Sequence, residues 1–220
     1  MLEELREANN YLRERMSAIP HKSKFSEKLA ILESEALAEG IPIVSPEVRE
    51  YLRFLLRDSR ITNVLEIGTA TGYSGIVMAE EIEKRQGILC TIEKDPEKYE
   101  RAAQNFRDCD LTNIKALRGD ALDLLPGIPE RFDFLFVDAA KSRYMDIFKA
   151  CYGLLNPEAL VVIDNLLFRG YLYREYPKRY KGIVTKLEAF IGALYGGGDD
   201  FVLLPFGDGV GLLRKHGDTD

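Results

Sequence analysis

The chain has no tryptophan and only three cysteines among its 220 residues. It also lacks long apolar runs. Those it has, such as 159–163, are strand length, far short of the roughly 20 residues a membrane-spanning helix needs. Nine prolines and 18 glycines are ordinary numbers and exclude a collagen-like or disordered chain. Basic residues are in the minority, 30 against 36 acidic, for a net charge of −6. A protein that grips nucleic acid over its whole surface is usually basic, so only a local basic patch is left for that role. The acidic, amphipathic start Met1-Leu2-Glu3-Glu4-Leu5 does not read as a secretory leader.

Cys90, Cys109 and Cys151 lie 19 and 42 residues apart, which is neither zinc-ligand nor CxxC spacing. Three free thiols in a reducing cytoplasm are expected. Cys90, within Ile88-Leu89-Cys90-Thr91-Ile92, reads as a small core hydrophobe. With 46% hydrophobic and 30% charged residues, the length suits one compact domain. The expected division is a helical cover over 1–60 and an α/β core over 61–215.

The first 60 residues read as helices. Leu2, Leu5, Leu12, Met16 and Ile19 recur at helical spacings. A second helix is expected over Ser26–Glu39, ended by Gly40 and Pro42, and a third after Ser45 with Pro46 at its first position. These helices are expected to cover a site or to form a homodimer contact. From residue 63 strands alternate with helices. The expected strands are Val64–Gly68, Ile88–Glu93, Ile114–Arg118, Phe132–Val137 and Leu160–Ile163. The expected helices cover 73–85, Pro96–Arg107, 143–154 and 179–194. This pattern implies a parallel sheet with both faces covered. Phe201–Phe206, Gly207-Asp208-Gly209 and Val210–Arg214 read as a hairpin, so the last strand runs antiparallel.

Val64-Leu65-Glu66-Ile67-Gly68-Thr69-Ala70-Thr71-Gly72-Tyr73-Ser74 is a strand, a glycine turn and a helix start. Glycines let backbone approach a ligand, and a helix start offers free N–H groups. The dinucleotide fingerprint is G-x-G-x-x-G. Here the spacing is G-x-x-x-G, with Ala70 at the second glycine position, which argues against a pyrophosphate ligand. Glu93 ends the next strand and can accept hydrogen bonds from both hydroxyls of a ribose. Asp120 follows the third strand and is expected to meet an adenine amino group. Three successive strand ends facing one crevice point to a nucleoside.

Phe134-Leu135-Phe136-Val137-Asp138 runs apolar into a carboxylate, and Val161-Val162-Ile163-Asp164-Asn165 does the same. Neighbouring strands lie about 4.8 Å apart, so Asp138, Asp164 and Asn165 are expected to converge. Two carboxylates and an amide oxygen suit Mg²⁺ or Mn²⁺ rather than Zn²⁺. Lys141, three residues past Asp138, reads on position alone either as a general base or as a solvated loop lysine.

These residues carry a resemblance. Glu66–Gly75, Ile92-Glu93, Gly119-Asp120-Ala121, Asp138-Ala139-Ala140-Lys141, Asp164-Asn165 and Pro205–Gly209 resemble the cation-dependent O-methyltransferases. That family includes catechol and caffeoyl-CoA O-methyltransferases and a bacterial tRNA 5-hydroxyuridine methyltransferase. The resemblance runs from about Ile41 to Arg214. It implies a Rossmann-like class I methyltransferase fold with seven strands, and S-adenosylmethionine in the first crevice. Glu93 would match the ribose ligand, and Asp120-Ala121 the adenine region. Glu66, Gly68, Tyr73 and Ser74 would surround the methionine part, with Asp138 beside it and Val44 closing over the cofactor. Asp138, Asp164 and Asn165 would match the metal ligands, and Lys141 the base. Ala139 and Ala140 replace the catechol enzyme's bulky wall, which implies a wider mouth.

The resemblance is nearest to the tRNA branch, so the expected acceptor is 5-hydroxyuridine at the tRNA wobble position. A catechol-type phenol is the alternative. A nicotinamide-dependent dehydrogenase or a non-catalytic nucleoside-binding module is the contrasting reading. Arg169, Arg174, Lys178, Arg179 and Lys181, interleaved with Tyr171, Tyr173, Tyr176 and Tyr180, form a candidate RNA-binding stretch. His21, Lys22, Lys24 and Lys28 are candidates to extend it.

Overall fold

The computed structural model describes residues 23–217, with positions 7, 10, 11 and 14–16 before them. Most of the expected first helix, and His21 and Lys22, lie outside the described residues. Two helices lead in: α1 (Ser26–Glu39) and α2 (Pro46–Leu56). Gly40 ends α1 in a left-handed conformation, its N–H donating to the Ala36 carbonyl. Ser45 caps α2, and Pro46 occupies its first turn.

Strands β1 (Asn63–Ile67), β2 (Ile88–Glu93), β3 (Ile114–Arg118), β4 (Phe132–Val137) and β5 (Leu155–Ile163) are parallel. β6 (Asp200–Leu204) and β7 (Val210–Arg214) form the antiparallel hairpin. The order is β3-β2-β1-β4-β5-β7-β6, with β7 antiparallel to β5. Helices α3 (Tyr73–Glu83), α4 (Pro96–Asp108), α5 (Tyr144–Tyr152) and α6 (Lys181–Tyr195) complete the layers. A single helical turn, Ala121–Leu124, follows β3.

Alternation along the strands fills both faces. Val64, Phe134 and Phe136 pack with α1 to α4, whereas Leu65, Leu135 and Val137 pack with α5 and α6. All three cysteines are free and buried, as the core reading of Cys90 anticipates. Among the described residues no helix is long and apolar enough to cross a membrane.

Several boundaries differ from expectation. β5 begins at Leu155 rather than Leu160, because the register with β4 jumps from Phe132↔Leu155 to Phe134↔Leu160. Asn156-Pro157-Glu158, outside the expected strand, bulges within the observed one, with Glu158 at φ +63° and its N–H donating to the Lys215 carbonyl. The later helices open with 3₁₀ turns at Lys141–Arg143 and Lys178–Tyr180. β6 stops at Leu204, before Pro205, which has no N–H for a ladder.

Candidate active site

The parallel strands place their carboxyl ends along one edge, in register at Ile67, Val137 and Ile163. Past Ile67 the chain turns at Gly68, with φ +103°. A Cβ there would stand 2.0 Å from the Asp138 carbonyl oxygen. The glycine therefore lets the turn after β1 touch the end of β4, and it also lines the cavity described below.

Ala70 adopts φ +47°, uncommon for a residue with a side chain. Its N–H donates to Glu93 Oε2 at 2.8 Å, and Asp95 N–H donates to Oε1 at 2.8 Å. A carboxylate has about four acceptor positions, so two amides fix Glu93 and leave it capacity for further donors. Glu93 lines a cavity of about 630 Å³, together with Gly68, Asp120, Ala121, Asp138 and Lys141.

Asp120 is already satisfied by the protein. Oδ1 accepts from Arg143 Nη2 at 2.9 Å and Leu122 N at 3.1 Å; Oδ2 accepts from Arg143 Nη1 at 2.6 Å and Lys94 Nζ at 3.0 Å. Hydrogen bonds from Arg143, then Lys94, hold its pKa well below the usual carboxylate range. The carboxylate expected to meet an adenine amino group thus has its acceptor positions filled, while buried Ala121 still borders the cavity.

Val44, Tyr73 and Ser74 meet Gly68 and Asp138 in an adjoining crevice of about 10 Å³. The Tyr73 hydroxyl faces the helical cover, donating to Glu33 and accepting from Arg49 Nη1 at 3.1 Å. Glu66 is fully buried and accepts from Ser74 Oγ and Thr91 Oγ1. Burial raises its pKa to about 7 despite those hydrogen bonds.

Asp138, Lys141 and Asn165 converge. Lys141 Nζ donates to Asn165 Oδ1 at 2.6 Å and to Asp138 Oδ1 at 3.2 Å. Asp164 N donates to the Val137 carbonyl at 3.0 Å, which fixes Asp164 beside Asp138. Asp164 is 2% exposed, and burial, then the nearby Asp138 charge, pushes its carboxyl up to about 7. Asp138 and Asn165 on the Lys141 ammonium, with Asp164 beside them, offer two carboxylates and an amide oxygen, a donor set that fits a hard divalent cation. Among the described residues no three His, Cys, Asp or Glu are grouped to hold a metal.

Two site residues escaped the sequence reading. Arg143 is one. Asp208 is the other: its carboxylate accepts from Arg169 N at 2.7 and 2.8 Å, and its carbonyl from Leu167 N at 2.8 Å. It thereby pins the loop after Asn165, where Phe168, Arg169 and Gly170 all have positive φ. A Cβ on Gly209 would stand 2.3 Å from Leu167 Cγ, so only glycine permits this docking. The sequence marks 207–209 as a turn but carries no signal of what the turn packs against.

The basic stretch is partly rearranged from expectation. Tyr171 stacks on Tyr180 at 5.3 Å, Phe168 meets both edge-on, and Tyr176 lies 6.4 Å from Tyr171. These rings pack on one another; Tyr173 stays exposed beneath Arg174. Among the described residues, the side chains of Arg169, Arg174, Lys178, Arg179 and Lys181 form no ion pair with a carboxylate. Lys24 and Lys28 do not extend the patch, since they pair with Glu83 and Asp108.

A family model described as O-methyltransferase matches residues 20–216. A catechol O-methyltransferase of Niastella koreensis is 37% identical over 145 residues, 62% of this chain. The match spans 65% of that enzyme, a little under two thirds of its length. Caffeoyl-CoA O-methyltransferase 2 of Populus trichocarpa is 29% identical over 190 residues, covering 80% of this chain and 76% of that one. The O-methyltransferase TomG of Streptomyces achromogenes, solved in complex with S-adenosylmethionine, superposes with a TM-score of 0.78. It is 26% identical, over 96% of each chain.

Proposed function

The chain belongs to the O-methyltransferase family, and from that premise we propose that it moves a methyl group from S-adenosylmethionine to a hydroxyl beside a second oxygen. Membership counts against the dehydrogenase and binding-module readings. The observation that carries the proposal is the cavity joining Glu93, the ribose-side carboxylate, to Asp138 and Lys141. TomG's complex with S-adenosylmethionine supports the cofactor.

Asp138, Asp164 and Asn165 would hold a divalent cation. When bound, it supplies charge that lowers a hydroxyl pKa and favours two adjacent oxygens. Glu93 takes the ribose hydroxyls. Gly68 and Asp138 border the methionine end, with Val44 over it. Lys141 Nζ, at the junction of the cofactor cavity and the Asn165 loop, accepts the hydroxyl proton in its neutral amine form, once its own proton has left to solvent. The oxygen then bonds the methyl carbon as the carbon–sulfur bond breaks and the electron pair stays on sulfur. Alignment of these three atoms supplies much of the rate.

The finer proposal for the acceptor is 5-hydroxyuridine in tRNA, whose 5-hydroxyl adjoins a 4-carbonyl. Five exposed cations whose side chains form no ion pair with a carboxylate, beside the Asn165 loop of an acidic protein, favour an anionic acceptor. A free catechol-type phenol is the second reading. The catechol and caffeoyl-CoA relatives favour it, as does the self-packing of Tyr171, Tyr176 and Tyr180, which leaves fewer rings to stack on bases.

The test is equilibrium binding of S-adenosylhomocysteine against NAD, then methylation of tRNA and of catechol with Mg²⁺ or chelator. Binding of S-adenosylhomocysteine with metal-dependent product supports the reading. Preference for NAD would overturn it, and undiminished turnover in excess chelator would remove the cation from it.

A further inference from the structure

We propose that the Asp120–Arg143 ion pair is a latch on the nucleoside end of the cavity, setting how fast S-adenosylmethionine enters and its demethylated product leaves. The proposal rests on the reading of that cavity as the cofactor site.

Topology makes the pair unusual. Asp120 follows β3 and Arg143 follows β4, and these strands are three places apart in the order β3-β2-β1-β4. That is roughly 14 Å of sheet. The guanidinium binds both carboxylate oxygens, at 2.6 and 2.9 Å, and so ties the two loops together. Both residues line the same cavity as Glu93 and Asp138, which follow the intervening β2 and adjacent β4. A ligand held by Glu93 therefore lies in a chamber whose rim includes this bond.

The chemistry of the two acids separates their roles. Glu93 is held by backbone amides and keeps acceptor capacity toward the cavity. Asp120 gives its acceptor positions to Arg143, Lys94 and Leu122. Asp120 thus recognises Arg143, not the adenine amino group. The pair is part-exposed, the Arg143 side chain by 33% and that of Asp120 by 17%, so water and salt reach it and it can open, even with two bonds. Arg143 ends the 3₁₀ turn that begins at Lys141, so the latch also positions the loop carrying the base.

The test is stopped-flow dissociation of S-adenosylhomocysteine from the full chain. Arg143→Met should speed dissociation about fivefold, the upper range for a part-exposed pair. Arg143→Lys should recover part of the loss. Dissociation from the wild type should quicken with salt, and dissociation from Arg143→Met should not. Asp120→Asn should weaken S-adenosylhomocysteine and S-inosylhomocysteine, which lacks the amino group, by the same factor. Unchanged dissociation from a folded Arg143→Met protein would overturn the latch. So would an Asp120→Asn effect confined to the amino-bearing ligand, which would mean direct adenine contact. A wild type that binds no S-adenosylhomocysteine would overturn the cofactor reading and the latch with it.

Discussion

The Lys141 ammonium lies 2.6 Å from Asn165 Oδ1 and 3.2 Å from Asp138 Oδ1, between two of the oxygens proposed to hold a divalent cation. Base and cation therefore compete for those oxygens. Lys141→Met is expected to lower turnover by about 10²-fold or more, the usual worth of a general base. S-Adenosylhomocysteine affinity should hold, and Mn²⁺ affinity, read by electron paramagnetic resonance, should rise. Near wild-type turnover would remove Lys141 from proton transfer.

Glu93→Ala is expected to weaken S-adenosylhomocysteine at least tenfold, since hydrogen bonds to a charged acceptor contribute about 1.5–3 kcal/mol each. Isothermal titration calorimetry measures it. Unchanged affinity in a folded variant would displace the ribose assignment.

Asp164→Ala is expected to abolish metal-dependent turnover while the protein still folds. Chelation of the wild type should give the same loss, reversed by Mg²⁺ or Mn²⁺. Turnover that survives both treatments would leave Asp138 and Asp164 as turn residues.

Glu66 gives a pH signature. Its pKa is raised from 4.5 to about 7 in the fold, so the native state binds the proton more tightly than the unfolded state. That contribution is complete below about pH 4.5 and is lost as pH rises through 7. The loss is on the order of 3 kcal/mol. Urea unfolding between pH 5 and 8 should show stability falling more steeply in the wild type than in Glu66→Gln. Parallel curves would mean that Glu66 is ionised throughout.

Reversing Arg174, Lys178 and Arg179 to Glu is expected to weaken tRNA binding and flatten its salt dependence, by a log–log slope of about 0.7–0.9 for each phosphate no longer neutralised. Filter binding across a salt series measures it. Catechol methylation should survive. Equal loss of both activities, or intact tRNA binding, would favour the small-molecule acceptor.

The parallel strands, the closing hairpin and the meeting of Asp138 with Asn165 were legible because each apolar run stops at a polar residue, and parallel strands stop along one edge. Glu66 was visible as the single acid in an apolar strand, but its depth was not, because burial depends on Ser74 and Thr91 across the packing. Asp120 was legible as a strand-end acid. Its partner was not, because Arg143 lies 23 residues away on a loop whose path depends on the whole sheet. The bulge in β5 was hidden because Asn156-Pro157-Glu158 has turn chemistry, and only pairing with β4 and Lys215 holds it in a strand. The mutual packing of the tyrosines was hidden as well, because sequence gives their spacing but not their partners.

The bond from Arg169 N to Asp208 spans 39 positions of chain. A ribosome thus finishes the loop bearing Asn165 well before it makes the residue that pins that loop. Until β7 is synthesised and seated, β5 is a sheet edge with free ladder groups, open to pairing with another chain. The nascent protein gains β1 to β4 first and the contacts that pin the Asn165 loop last. Slow release or premature termination near the hairpin would therefore strand an aggregation-prone intermediate rather than a weakened enzyme.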